Sequence, residues 1–513
     1  MPTALCDTAR VTDKRPAEPR SGAGSPGWSA ADIAAASGGR LVRRSGQLAL
    51  GVFVDSRLVQ PGSLFVALPG EHTDGHRFLG EAVAAGAAAV LVRDDAWSAG
   101  PGSDSTWMSG RDLAVVAVPD TLVALQSLAA AWRRRFSPLV VGVTGSIAKT
   151  STKEAVATVL AERFSTLRSE GNENNEIGLP LTVLRLGSGH EAAVLEMGMY
   201  VGGEIAQLAR IALPRIGVVT AVREVHLSRI GSIDAVERAK GELVEALPPD
   251  GTAVLNADDE RVARLRHRTA AAVLTYGFGE GAQVRAEDVG SAGLEGMSFR
   301  LSTPAGSVAI ETPALGRHGV HNGLAAAAVG LAAGLDLDTI AAGLARGWQA
   351  EHRDQLVRSG DVTVVDDSYN ASPASMLAAL ELLGTLPGRH VAVLGEMLEL
   401  GSAHDRGHAE VGKAAAAVEL LVVVGPAAAG IAEAAAGLGP EVVLVPDREA
   451  ALEVLERRLR PGDTVLVKGS RGAGLEWIVE GLRAGAWAPT GRNGAVRRAA
   501  GPARVQPSDG RAG

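Results

Sequence analysis

Cysteine is almost missing from this chain, Cys6 being the only one in 513 residues. That excludes a disulfide framework and a thiolate metal centre, and a reducing, cytoplasmic setting is expected. Aromatic residues make up 3%, too few for the stacking platforms that hold single-stranded nucleic acid. Positive charge is not in excess either: 58 acidic residues against 50 basic ones give a net charge of −8, so no nucleic acid partner is expected. Long apolar runs are lacking. The longest, Gly323 to Leu335, is too short to span a membrane and is followed at once by Asp336. The first residues mix Asp7, Asp13, Lys14 and Pro16 without an apolar core, so they do not read as a secretory signal.

What is present is small and apolar. Hydrophobic residues reach 46% and glycines number 64, which suits helices packed closely on sheets, and the length calls for two to four domains. Residues 1–28 and 486–513, rich in Pro, Gly, Arg and Ser, read as a disordered leader and tail. Residues 29–136 read as a small mixed α/β domain, with a helix at 30–36 and two strand-like runs divided by Pro61-Gly62. Residues 137–315 carry buried-type strands at 193–195, 216–220 and 253–255 with helices between them, the signature of a mainly parallel sheet covered on both faces. Residues 316–485 repeat that architecture with five such runs, at 362–365, 391–394, 420–424, 442–445 and 464–467. Many strands end in polar residues (Glu196, Thr220, Asn256, Asp366-Asp367, Glu396, Lys468), where ligands sit in open parallel sheets.

The most telling stretch is residues 139–154, an apolar run that breaks at Gly145 and restarts as a helix at Lys149. A strand, a tight turn and a helix N-terminus aim backbone N–H groups and the positive end of the helix dipole at one point. Gly145, Ser146, Lys149, Thr150 and Ser151 would surround a phosphate there, with the Thr150 hydroxyl beside a Mg²⁺ ion. The pattern is imperfect, since Ala148 precedes the lysine, and an ordinary strand-to-helix turn is the competing reading.

Other candidates have two readings each. The run 171–178, Gly-Asn-Glu-Asn-Asn-Glu-Ile-Gly, suits either Asx-type backbone bonds or ligand recognition. Glu196 and His226 offer oxygen and nitrogen donors for a metal, or are satisfied structural residues. Lys240 sits mid-helix and reads as a solvated lysine lying along an Ala-rich surface. Asp366 and Asp367 suit ribose hydroxyls or a turn cap, and Lys468 with Arg471 suit an anion or plain surface charge.

Their order along the chain says more. Residues 55–57 (Asp-Ser-Arg), 74–76 (Asp-Gly-His), 144–154, 171–180 and 196–199 (Glu-Met-Gly-Met), in that succession, resemble the Mur ligase family. His226, 239–242 (Ala-Lys-Gly-Glu), 255–259, Arg317-His318 with Asn322, 366–371 (Asp-Asp-Ser-Tyr-Asn-Ala), 393–401 and 468–471 narrow the resemblance. It covers about residues 29–485 and implies a domain for the uridine nucleotide, a central P-loop ATPase domain and a C-terminal Rossmann-like domain. The implied activity is that of the member adding D-alanyl-D-alanine to UDP-N-acetylmuramoyl tripeptide, with ATP, by way of an acyl phosphate, in a monomer. By the same resemblance Lys149, Lys240 and His226 are catalytic. Thr150, Glu196, His226 and a carbamylated Lys240 would hold two Mg²⁺ ions. Asn322, Arg353, Asp366 and Asp367 would surround ATP, and Ser56, Arg57, Asn174 and Asn175 the nucleotide-sugar peptide. The chain departs from the family pattern at Ile147-Ala148, Tyr200, Ala221, Arg223, Gly319 and Ser372. A paralogue using D-alanyl-D-lactate or another amine, and a weakly active or non-catalytic nucleotide-sugar-binding regulator, are the alternatives.

Overall fold

The computed structural model describes residues 27–70, 73–99, 108–224 and 227–484. The leader and tail fall outside this range except for Gly27 and Trp28, and Trp28 corrects the leader's limit. It is buried, exchanges backbone hydrogen bonds with Ala49 at 2.9 and 2.8 Å, and its ring lies 5.1 Å from that of Trp132. An indole of that size is drawn out of water whatever the polarity of its neighbours in sequence.

The first unit is a five-stranded sheet ordered Arg40–Arg43, Ala114–Val118, Ala89–Arg93, Leu64–Val66, Val52–Phe53, parallel except for its first pair. The run before Pro61 is not the strand its composition suggests. Asp55 accepts the Arg57 N–H at 3.0 Å, and this cap closes Ser56–Leu58 into a 3₁₀ turn.

Nine strands form the central sheet. Its parallel part is ordered Thr166–Arg168, Ala192–Glu196, Leu139–Thr144, Ile216–Val219, Thr252–Asn256, Ala272–Gly277, Val284–Ser291. Two antiparallel strands, Met297–Thr303 and Gly306–Thr312, extend it. In the first of these Met297, Phe299 and Leu301 point inward while Ser298 and Arg300 are exposed, the alternation of a sheet wetted on one face.

The helices Gly316–Ala332 and Leu337–Arg346 belong with this central sheet by packing. Val320, Leu324, Ala325–Val329, Ile340 and Leu344 share a core with Val156, Val159 and Leu160 of the helix Lys149–Ala161. The boundary expected at 315/316 therefore cuts through one core, and the packing moves it past Arg346. The apolar run at 323–335, too short for a membrane, is apolar all round because the helix is buried on most sides. Among the described residues no helix is long and apolar enough to cross a membrane.

A connecting stretch follows in which Gly347, His352 and Asp354 all take left-handed backbone, with φ of 72, 55 and 48°. It leads into a six-stranded sheet ordered Gln355–Ser359, Val362–Asp366, Thr464–Lys468, His390–Gly395, Leu420–Val424, Glu441–Val445, parallel after its first antiparallel pair. Each face of this sheet carries its own apolar core. Arg406 pairs with Glu224 across to the central unit.

Candidate phosphoryl-transfer site

The strand Leu139–Thr144 delivers the chain into a loop pressed against the end of the neighbouring strand. A Cβ on Gly145 would stand 1.9 Å from Thr220 Oγ1, so only glycine fits. Thr220 in turn donates to the Ile147 carbonyl at 2.6 Å, and the Ser146 N–H donates to the Ala221 carbonyl at 2.8 Å. Ser146 Oγ accepts the Arg223 N–H at 2.9 Å. Lys149 folds its ammonium back onto the Gly145 carbonyl at 2.8 Å. No side chain caps the helix that starts at Lys149. Its first N–H groups are left open to an anion, with the buried Thr150 and half-buried Ser151 beside them.

Ala148, immediately before that helix, has φ 64°. A left-handed alanine costs roughly 1–2 kcal/mol against right-handed backbone, a penalty glycine lacks. Ala148→Gly is accordingly expected to stabilise the protein by about 1 kcal/mol and to tighten ATP binding, read by thermal unfolding with and without nucleotide. An unchanged or lower midpoint would mean that the neighbouring side chains have adapted to the methyl group.

Beside the loop lie Glu196 and Lys240, each 1% exposed. Glu196 closes its strand. One carboxylate oxygen accepts from Asn174 Nδ2 at 2.7 Å, and the other is buried with no hydrogen-bond partner. Lys240 is not the solvated lysine its helix suggests. The helix Ile233–Glu245 turns Val236, Lys240, Leu243 and Val244 together into the protein, so the amine goes inward with the apolar stripe. Burial, then the charge of Lys149, push its pKa well below the ordinary lysine value, with Glu196 opposing. Burial also lowers Lys149, again opposed by Glu196, while Arg353 lowers it further. His226 lies outside the described residues.

The C-terminal unit supplies the opposite wall. The guanidinium carbons of Arg353 and Arg471 stand 4.4 and 4.9 Å from the ring centre of Tyr369. Asp366 accepts from the Ser368 N–H at 3.1 Å and pairs with His352 at 2.7 Å. Asp367 is paired with Lys468, which also donates to the Asn370 carbonyl at 3.1 Å. Burial raises the Asp367 carboxyl, with Lys468 opposing.

The remaining sequence candidates lie elsewhere or are engaged. Asn322 accepts from Thr152 Oγ1 at 3.0 Å in a buried helix contact. Asn175 Oδ1 accepts the N–H groups of Ile177 and Gly178, at 3.2 and 2.8 Å, where the next helix starts. Ser56 and Arg57 sit in the first unit, on Glu81 and Asp55.

One shelf went unread in the sequence. Tyr276 and Phe278, at the end of the strand Ala272–Gly277, lie 5.0 and 5.8 Å from His321 between ring centres, and Arg317 caps Phe278 at 4.2 Å. Burial would raise Asp258 nearby, but donation from His321 and the N–H groups of Phe278 and Gly279 outweighs it and holds the pKa at about 2. The signal available was scarcity, since a Tyr-Gly-Phe at a strand end stands out in a chain with three tyrosines.

A phosphate loop at the carboxyl end of an interior strand of a parallel sheet, a buried acid with a free oxygen and a facing doubly wound unit define an ATP-dependent ligase class. Three family models fit the chain: the Mur ligase family catalytic domain over residues 50–133, the Mur ligase middle domain over 143–330, and the Mur ligase glutamate ligase domain over 352–471. A relative from Synechocystis, described as a UDP-N-acetylmuramoyl-tripeptide–D-alanyl-D-alanine ligase, is 37% identical over 439 residues, 84% of this chain and 92% of its own. A crystal structure of MurF from Acinetobacter baumannii matches with a TM-score of 0.79 at 30% identity, over 90% of this chain and 99% of the other. A MurF ligase from Thermotoga maritima in complex with ADP matches with a TM-score of 0.73 at 28% identity, over 85% and 97%. The chain belongs to the Mur ligase family.

Proposed function

We propose that the chain joins D-alanyl-D-alanine to UDP-N-acetylmuramoyl tripeptide at the cost of ATP, in peptidoglycan precursor synthesis. The observation that carries this reading is the gathering of Glu196 and Arg353 about Lys149 at the phosphate loop, with Lys240 within electrostatic reach of Lys149 and Glu196. The relatives so described match the chain over most of its length.

The substrate carboxylate attacks the γ-phosphorus, ADP leaves, and an acyl phosphate remains. The dipeptide amine then attacks the acyl carbon, an amide bond forms, and inorganic phosphate and a proton depart. Such transfers need positioning and charge neutralisation more than covalent help. The open N–H groups after Ala148 and the Lys149 ammonium take up charge on the β- and γ-phosphate oxygens. Arg353 and Arg471, held against Tyr369, face them from the other unit.

The donor set fits a hard cation: the Thr150 hydroxyl offers one oxygen, and the buried Glu196 Oε2 has no hydrogen-bond partner to satisfy it. Mg²⁺ held by these residues would supply charge neutralisation for phosphoryl transfer. Burial lowers the Lys240 amine well below the ordinary lysine pKa and so favours the neutral form, which is the one that adds to carbon dioxide; the carbamate would bring an anion to a second Mg²⁺. Asp366 and Asp367 with the partly exposed Phe278 and His321 suit the nucleoside. Ser56 and Arg57 with Asn175 are assigned to the nucleotide-sugar peptide.

The test is phosphate release by the purified protein with Mg²⁺, ATP, the tripeptide nucleotide and either D-alanyl-D-alanine or D-alanyl-D-lactate. Release is expected with the first dipeptide. No release with either, alongside binding of the nucleotide sugar, would overturn the ligase reading in favour of a regulator.

A further inference from the structure

Glu196 is held from two directions by groups that need never touch a substrate. Its Oε1 accepts from Asn174 Nδ2 at 2.7 Å, leaving Oε2 buried and unpartnered. Its backbone N–H donates to Ser169 Oγ at 3.1 Å. The Ser169 carbonyl accepts at 2.7 Å from the ammonium of Lys153, a residue with 0% exposure that lies one helical turn beyond Lys149. Asn174 is fixed in its own right, its carbonyl accepting the Gly198 N–H and its N–H donating to the Asn172 carbonyl, each at 2.7 Å.

The chemistry of this arrangement is specific. A carboxylate with both oxygens free can rotate and turn either one to a cation. With one oxygen taken by an amide donor, rotation is stopped and the other is presented in a single direction. Lys153 adds a tie of a different kind. It stands on the same helix as Thr150, while Ser169 follows the strand Thr166–Arg168 that pairs with the strand of Glu196. The contact sets the spacing between the hydroxyl and the carboxylate. A buried ammonium costs free energy unless it is paired and bonded. Lys153 is both, with Glu154 at 2.8 Å as its partner and Glu154 bound in turn to Arg168.

We propose that Asn174 and Ser169 are positioning residues for the cation-binding oxygen of Glu196, with Lys153 as the anchor of Ser169. This assigns Asn174 to the carboxylate and not to the nucleotide-sugar peptide, and it rests on the reading of Glu196 as a cation ligand. Groups that orient metal ligands typically change metal affinity 10–100-fold when removed.

The experiment uses Mn²⁺ as the probe, counted as free ion by electron paramagnetic resonance in the presence of ADP. Asn174→Ala and Ser169→Ala are compared with the unchanged protein and with Glu196→Gln. Each of the first two is expected to bind Mn²⁺ roughly 10-fold or more weakly. ADP affinity measured by calorimetry without divalent ion should stay unchanged, and excess Mg²⁺ should restore the rate of phosphate release. Ser169→Ala removes only one oxygen and keeps the carbonyl that holds Lys153, so it remains informative if the other variant folds poorly. Mn²⁺ binding that survives in both variants but is lost in Glu196→Gln would overturn the proposal and leave the cation reading standing. Equal loss of ADP affinity without divalent ion would also overturn it, marking the residues as supports of the whole loop. If Glu196→Gln binds Mn²⁺ as well as the unchanged protein, the cation reading falls and the proposal with it.

Discussion

Replacing Lys149 by methionine is expected to lower kcat by roughly 10³-fold, the scale of losing one charged donor aimed at a transition state, while the fold survives. Methionine matches the length of the side chain, and among the described residues the one hydrogen bond it gives up is the donation to the Gly145 carbonyl. The effect comes from what the ammonium does when phosphate arrives. In the free protein it is half-buried, lowered in pKa by burial and by Arg353, and sustained by Glu196. A triphosphate adds an anionic partner in direct contact, where Glu196 acts from a distance. Loss should therefore appear in kcat and in ATP affinity together, with the affinity for D-alanyl-D-alanine unmoved. Steady-state kinetics of phosphate release, with the thermal midpoint as control, checks this. A fall below about tenfold would place the charge neutralisation elsewhere, with Arg353 and Arg471 as the remaining donors.

Lys240→Met separates function from stability in the opposite sense. A buried amine with no hydrogen-bonding partner among the described residues costs about 1–3 kcal/mol relative to an apolar chain of the same shape. In buffer freed of carbon dioxide the variant is expected to be more stable than the unchanged protein while losing activity by roughly 10²-fold or more. The pH dependence has a definite sign. The folded pKa lies below the unfolded one, so between the two the unfolded chain binds more protons and stability rises with pH. The advantage of the methionine variant should accordingly shrink as pH climbs toward the unfolded lysine value near 10.4. Urea titrations at several pH values measure it, and an advantage that is constant or grows would mean that Lys240 is charged and paired in the fold.

Much of this architecture could be read from the sequence because it is local. Buried parallel strands announce themselves as apolar runs with polar ends, and the runs at 193–195, 216–220, 253–255 and the five after residue 361 all became strands. What escaped depended on partners far along the chain. The strand Met297–Thr303 alternates polar and apolar residues and carries no continuous run, and Gly306–Thr312 holds only Val308-Ala309-Ile310 between polar ends, with Ala309 exposed. The helix Gly316–Ala332 announces its burial but not the sheet that buries it. Lys240 shows the same limit at a single residue: mid-helix position in an Ala-rich segment says nothing about which face turns inward until the packing of Val236 and Leu243 is known. The family pattern did point to the residue, and it marked as a departure Ala148, whose backbone is left-handed. Asn322 and Asn175 were legible as polar residues in the right neighbourhood, yet hydrogen bonds to Thr152 and to a helix start are decided by geometry alone.

The connection between the central and C-terminal units is clasped from both sides. Two of its residues, His352 and Asp354, hold left-handed backbone that costs roughly 1 kcal/mol each, and both side chains are tied down, to Asp366 and His318. The two ties reach into different units, that of Asp354 to a helix of the central one and that of His352 to a strand of the C-terminal one, so three residues of chain fasten both neighbours to the same short turn.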